Sequence, residues 1–168
     1  EDERPQYQKP PLAYALTESE FRLLELTFDQ DADSGIGERV VVDPPEDREG
    51  VDDVREIEYE DLSGTAQSEL EHAVKDIVET DRQRFVDFYN DAQPITLRLH
   101  QLNLLPGIGK KLRNNVLDQR KRGPFESFED VEERVSGLHR PKEILAERIM
   151  EELRDDDLKY KTFVGRES

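Results

Sequence analysis

The segment Leu105-Pro106-Gly107-Ile108-Gly109-Lys110-Lys111 combines two glycines one residue apart with two lysines directly after them. Glycine tolerates positive φ and carries no side chain, so a turn at Gly107 and Gly109 lets an anion reach the backbone. A helix starting near Gly109 would aim unpaired N–H groups and the positive end of its dipole at that anion. Lys110 and Lys111 add full charges, and Ile108 is apolar enough to plug the turn into a groove between helices. The chemistry of this set is phosphate binding, which positions a nucleic-acid backbone and reads little of its sequence. The surrounding charge agrees. Residues 95–125 hold Arg98, Lys110, Lys111, Arg113, Arg120, Lys121 and Arg122 against Asp118 alone, a net of +6. The whole chain has 168 residues, 41 acids and 24 bases, net −17, so the other 137 residues sum to −23. Arg113, Arg120, Lys121 and Arg122 are therefore read as flanking phosphate contacts. The competing reading is a glycine-rich corner that binds nothing.

Other chemistries fall away. There is no cysteine, which excludes disulfides, thiol catalysis and thiolate metal sites. The three histidines, His72, His100 and His139, show no ligand spacing. Asp29, Asp31 and Asp33 have the spacing of a calcium loop, but Ser34 and Val40 stand where glycine and glutamate are needed. Asp155-Asp156-Asp157 reads as a solvated acidic run. Gly35-Ile36-Gly37 lacks the third glycine of a dinucleotide fingerprint. No nucleophile–base pair is evident, and Asp118 and Asp130, acids near the island, belong to no recognisable pocket. The expectation is a protein that is not an enzyme and holds no metal by its side chains. His100 is expected to be a partly buried, hydrogen-bonded helix residue. Tyr7, Tyr14, Phe21 and Tyr59 are expected mostly in a core, base stacking being the alternative.

The elements that must hold the basic segment change period at Ser63. Pro5, Pro10 and Pro11 make 1–10 an extended tail. Strands are predicted at 12–16, 20–28 with a bulge, 38–43 and, weakly, 54–62, with acidic loops at 29–37 and 44–53. Four short strands within 11–62 predict a small β-barrel of the OB or SH3-like kind. From Ser63 the apolar spacing becomes helical: Leu70, Val74, Ile77 and Val78, then Phe85, Val86, Phe88 and Tyr89. Behind Pro94 come Ile95, Leu99, Leu102 and Leu105, then Leu112, Val116 and Leu117. Apolar residues at 125–135 and a helix opened by Pro141 complete at least five helices in an all-α unit over 63–158. A second turn, 135–145, repeats the first with Arg140 and Lys142 in place of the glycines, and is expected to be structural. Residues 159–168 form a strand-like tail that adds to the barrel or caps the helices. The predicted fold class is α+β, an N-terminal barrel followed by a helical domain.

Low apolar content with high net charge favours disorder, but the regular apolar spacing over most of the chain argues for a fold. Aspartate supplies 18 of the acids and lysine only 8 of the bases. Such a surface repels itself, which keeps a protein monomeric and is screened by salt. The composition fits the cytoplasm of a salt-accumulating microbe, or an acidic protein that binds a basic partner. No apolar run approaches the roughly 20 residues that span a bilayer, and no signal peptide is visible.

Residues 95–121 resemble the helix-hairpin-helix motif of DNA- and RNA-binding proteins. The strings at 94–111, 124–131, 147–153 and 159–164 resemble the archaeal DUF655 family, most tightly over 94–164. That resemblance implies a small β-barrel before a helix-hairpin-helix domain, a haloarchaeal origin in line with the acidity, and nucleic-acid binding rather than an assigned activity. It implies a slight preference for RNA over DNA, because similar archaeal proteins are linked to ribosomal and RNA-polymerase components. Helix-hairpin-helix proteins place K⁺ or Na⁺ in the turn, which here implies the backbone carbonyls of Asn103, Leu105 and Ile108. The rival expectation is a protein-interaction module that docks an acidic partner of the ribosome or RNA polymerase.

Overall fold

The computed structural model describes residues 12–28, 51–155 and 157–165. The predicted tail at 1–10, the strand at 38–43 and most of the acidic loops lie outside these residues, as does Tyr7. What is described is a mixed α+β fold, a small antiparallel sheet with five helices. The sheet runs β1 (Leu12–Leu16), β2 (Leu23–Phe28), β3 (Val51–Glu56), in that order. Ala15 pairs with Leu24, and Leu26 with Val54, with a register shift at Thr27/Phe28 where a bulge was expected. Glu25 stands directly opposite Arg55 and the two form an ion pair at 3.1 Å.

Two strand boundaries differ from expectation. The strand predicted from 20 begins at Leu23, because Phe21 takes φ +54° and turns the chain. A bulky residue in that region is strained by about 1–2 kcal/mol. Phe21 is fully buried against Phe85, ring centroids 6.0 Å apart, and burial of about 1.5–3 kcal/mol offsets the strain. This places Phe21 in the core rather than on a stacking surface. The last strand spans 51–56 rather than 54–62, so 51–53 belong to it and not to a loop. Beyond Ile57, the Asp61 carboxylate accepts the Glu58 N–H at 2.9 Å and Tyr59–Asp61 wind into a 3-10 turn.

The helices are α1 (Gly64–Thr80), α2 (Arg82–Asp91), α3 (Lys110–Lys121), α4 (Phe128–Arg134) and α5 (Pro141–Arg154). Ser63 caps α1 by accepting the Ala66 N–H, and Ser127 caps α4 by accepting that of Asp130. Leu70, Val74 and Val78 of α1 and Phe85, Val86 and Tyr89 of α2 point inward, as their spacing requires. The helix expected behind Pro94 does not form. Thr96 Oγ1 accepts the N–H groups of Arg98 and Leu99, and the N–H groups of Ile95 and Thr96 both donate to the Leu99 carbonyl. A threonine that captures local N–H groups competes with helix. The chain closes a small loop through a Pro94–His100 bridge and then makes a 3-10 turn at Gln101–Leu104. Leu102 and Leu105 are buried all the same, so their spacing is met by a different backbone.

One core runs through the helices and reaches the sheet through Phe21, Leu23, Ile57 and Leu62. The tail at 159–165 is not a strand. It lies against the helices, with Phe163 5.0 Å from Phe88 and 6.1 Å from Phe85, and the Gly165 N–H donates to the Glu20 carbonyl. Leu24 and Leu26 face the other side of β2 from Leu23 and are buried apart from this core. No helix among the described residues is long and apolar enough to cross a membrane.

Candidate functional site

Gly107, Ile108, Gly109, Lys110, Lys111 and Arg113 come together at the start of α3. Gly107 takes φ +81°, which glycine alone adopts easily. Ile108 is 4% exposed and anchors the turn among Leu102, Leu105 and Val116 of the core. Its N–H donates to the Leu105 carbonyl at 3.2 Å. Gly109 differs from expectation: its backbone is extended, at φ −92° and ψ −163°, so positive φ does not explain the glycine. A side chain at Gly107 or Gly109 would meet nothing within 4 Å, so packing within the fold does not demand glycine at 109 and the backbone there is open. Gly109 caps α3 without any side-chain hydrogen bond, leaving the first N–H groups of the helix unsatisfied by it.

Asn103 fixes this geometry. Its Oδ1 accepts the His100 N–H and the Arg113 guanidinium, both at 3.1 Å, while its Nδ2 donates to the Ile108 carbonyl at 3.2 Å. Behind it, Arg148 donates to the carbonyls of Leu104 and Tyr160 and pairs with fully buried Glu152 at 2.9 Å. The other Glu152 oxygen accepts the N–H groups of Phe163 and Val164. These residues escaped sequence reading. Arg148 and Glu152 had the i, i+4 signal of a surface pair, and nothing in the spacing of Asn103 distinguishes it from its neighbours.

The predicted cations separate into groups. Lys110 and Lys111 are exposed, and so are Arg98, Lys121 and Arg122. None of these five forms an ion pair among the described residues, whereas Arg22, Arg55, Lys75, Arg82, Arg134, Lys142 and Arg148 all do. Arg113 is spent on Asn103 and Asn114. Arg120 donates to the Tyr89 carbonyl at 3.2 Å, and burial holds its pKa below the usual arginine value. Arg120, Lys121 and Arg122 sit about 15 Å along α3 from Lys110. There they complement the negative end of the helix dipole. His100 is 5% exposed and caps the 3-10 turn rather than lying within a helix. Its Nδ1 accepts the Leu102 N–H at 3.1 Å, and burial, then Arg120 and Arg113, lower its pKa.

The second turn also differs from its sequence reading. Gly137, at φ +88°, takes the place of Gly107, and Arg140, at φ +56°, caps α5 where Gly109 caps α3. A side chain at Gly137 would meet Leu112 Cδ2 at 3.2 Å, and Asn115 donates to the Ser136 carbonyl. This turn is closed against α3. A cleft of about 460 Å³ beside it is lined by Arg82, Phe128, Glu129, His139 and Lys142, and by none of the predicted site residues. Lys142 and Arg82 on its wall both reach Glu79, and the Lys142 contact foremost holds that carboxyl below its ordinary pKa. Among the described residues no three histidines, aspartates or glutamates are grouped to hold a metal. Tyr14 is 40% exposed on the sheet, while Tyr59 packs at the edge of the core.

Fold and site together define a class: mixed α+β proteins with, among the described residues, a three-stranded antiparallel sheet, five helices and a basic turn opening α3. Residues 1–165 match the model of a family described as protein of unknown function (DUF655), and the chain belongs to that family. It is similar to the crystal structure of Af1531 from Archaeoglobus fulgidus, at 38% identity and a TM-score of 0.88, covering 98% of this chain and 91% of that one. It is also 42% identical over 156 residues to the uncharacterized protein MJ0038 of Methanocaldococcus jannaschii, covering 92% of this chain and 70% of the relative.

Proposed function

We propose that this chain is a non-catalytic nucleic-acid-binding protein whose Gly107 turn grips a phosphate backbone. The observation that carries this reading is the open start of α3. Uncapped N–H groups, a bare Gly109 and two lysines without an ion pair among the described residues converge there, whereas bases such as Lys75 and Lys142 are paired with acids. Hydrogen bonds to a charged group contribute about 1.5–3 kcal/mol each, so two or three from this backbone to phosphate outweigh the weak, screened pull of distant surface charge. The turn is a helix-hairpin-helix in which the first helix is reduced to the 3-10 turn Gln101–Leu104. Lys110 and Lys111 are the primary cationic contacts; Lys121 and Arg122 meet a more distant phosphate, and Arg113 and Arg120 act by bracing. The burial of Leu24 and Leu26 apart from the main core supports a small barrel built on β1–β3. RNA is preferred slightly over DNA, and the acidic remainder suits a salt-rich archaeal cytoplasm.

We propose that a K⁺ ion is held at the turn by the backbone carbonyls of Asn103, Leu105 and Ile108. Pro106 lacks the N–H that would close the next 3-10 hydrogen bond on the Asn103 carbonyl. The Leu105 and Ile108 carbonyls each accept one hydrogen bond and keep a second lone pair. When bound, the ion would supply positive charge between these carbonyls and a phosphate.

The test is capture of partners on the full chain with and without nuclease, followed by anisotropy titration of RNA and DNA oligonucleotides in KCl and in LiCl. Nuclease-sensitive partners and tighter binding in KCl are expected. Partners that survive nuclease would favour an acidic protein as ligand, and equal binding in the two salts would remove the ion.

A further inference from the structure

Leu97 is fully exposed, at 106% of its reference surface, and among the residues whose exposure is described Tyr14, at 40%, is the only other exposed large hydrophobic. Single exposed leucines are common on proteins. This one is displayed. It stands at the tip of the 94–100 loop, whose base is closed by the Pro94–His100 bridge and by the Gln101 N–H on the Gln93 carbonyl. Inside the loop the Ile95 and Thr96 N–H groups meet the Leu99 carbonyl at 2.7 and 2.9 Å, and Thr96 Oγ1 holds Arg98 and Leu99. These bonds hold the backbone of the loop that carries Leu97. It is also one body with the basic turn, since Asn103 takes the His100 N–H through one atom and holds the Ile108 carbonyl through another. Leu97 is followed by exposed, unpaired Arg98, and no acid occurs from 92 to 117 in this acid-rich chain.

An apolar side chain at the tip of a hydrogen-bonded loop, within an acid-free, basic stretch of the sequence, suits a polyanion that has apolar faces, and nucleic-acid bases are those faces. Apolar wedges that part a base step are an established mode of binding. We infer that Leu97 contacts the face of an unpaired or unstacked base while the Gly107 turn holds the adjoining backbone. The ligand is then a nucleic acid with a single-stranded, bulged or junction step rather than a continuous duplex. This inference rests on the nucleic-acid reading above.

The experiment titrates the full chain against a perfectly paired RNA hairpin and the same hairpin with a single bulged 2-aminopurine, alongside the matched DNA pair. The wild type is expected to prefer the bulged ligand and to change its 2-aminopurine emission. Leu97→Ala should lose roughly tenfold on the bulged ligand, erasing the preference and the emission change. Leu97→Lys adds charge without a wedge and should also lose the emission change. Thermal melts check that both variants stay folded, as they should with a side chain that touches nothing. An unaltered preference and emission in Leu97→Ala overturns the wedge, and loss on Gly109→Val in the same assay would leave the phosphate reading standing. A wild type that binds none of these ligands overturns both. Loss by Leu97→Ala of a nuclease-resistant protein partner overturns the wedge in favour of protein docking.

Discussion

The Gly107 and Gly137 turns have nearly the same backbone and opposite surroundings. Their φ values are +81° and +88°, and each is followed by a buried apolar residue, Ile108 or Leu138. In both, that residue's N–H donates to the carbonyl three positions back at 3.2 Å. Yet Gly107 and Gly109 face open space, while Gly137 faces Leu112 of α3. Lysines follow the first turn; Arg140, whose N–H is taken by Glu132, precedes the helix after the second. Local sequence makes a turn of this shape, and the neighbour packed on it decides its use. The second turn is spent on holding the helix whose start the first turn presents.

The largest expected effect separates the two. Gly109→Val fits its extended backbone and open space, so the protein should keep its melting temperature. It should lose at least about 100-fold in affinity for RNA by anisotropy, since two charge-assisted hydrogen bonds are blocked. Gly137→Val should do the reverse. A β-branched residue at positive φ, with its Cβ 3.2 Å from Leu112, should destabilise the fold by about 2–4 kcal/mol in urea. Its affinity should hold under conditions where it remains folded. If Gly109→Val binds normally, the asymmetry between the turns has no functional meaning.

A smaller effect comes from the amides that brace each turn. Asn103→Ala removes three hydrogen bonds and leaves the Arg113 guanidinium without that acceptor, so binding should weaken roughly tenfold and stability fall by about 1–3 kcal/mol. Asn103→Asp keeps the acceptor for Arg113 but turns an oxygen toward the Ile108 carbonyl, and should weaken binding as well. Asn115 makes one exposed bond, to Ser136, and Asn115→Ala should cost no more than about 1 kcal/mol and leave binding intact. Equal effects from the two amides would show that the Asn103 bonds to His100, Arg113 and Ile108 do not shape the binding turn.

The degree to which all this could be read in advance follows the range of the interactions. Ser63 capping α1, the inward stripe of Leu70, Val74 and Val78, and Pro141 at the head of α5 are local and were legible. So was the basic segment, because its charge contrasts with the rest of the chain. The 94–100 loop was not, since Thr96 diverts N–H groups from a helix whose apolar spacing is sound. The split among the cations was hidden too. Arg113 and Arg120 look like Lys110 in sequence, and only the partners Asn103 and Tyr89 show them turned inward. Phe21 shows the same limit, for nothing in its residue type announces the left-handed backbone that goes with its ring packing on Phe85.

The smallest expected effect is a pH response confined to the first turn. His100 opens its 3-10 element by accepting the Leu102 N–H on Nδ1, which requires the neutral ring. Ser127 performs the same service for α4 with a hydroxyl that does not titrate in this range. Burial, and then the charges of Arg120 and Arg113, hold the His100 pKa below its usual 6.5. In the window between that lowered value and 6.5, the unfolded chain binds a proton that the folded chain refuses. Its contribution to stability is therefore present above 6.5 and is lost as pH falls through the folded value. Carboxylates throughout this acidic chain also titrate below that window, so the wild type alone is not informative. His100→Asn supplies a non-titrating acceptor at the same cap. Urea unfolding at pH 8 and near pH 5.5 should show the wild type losing more stability than this variant, while Ser127→Asn gives no such difference. Parallel losses in wild type and His100→Asn would mean that the histidine has the same proton affinity in the folded and unfolded chain, and that the first turn carries no titration linked to folding.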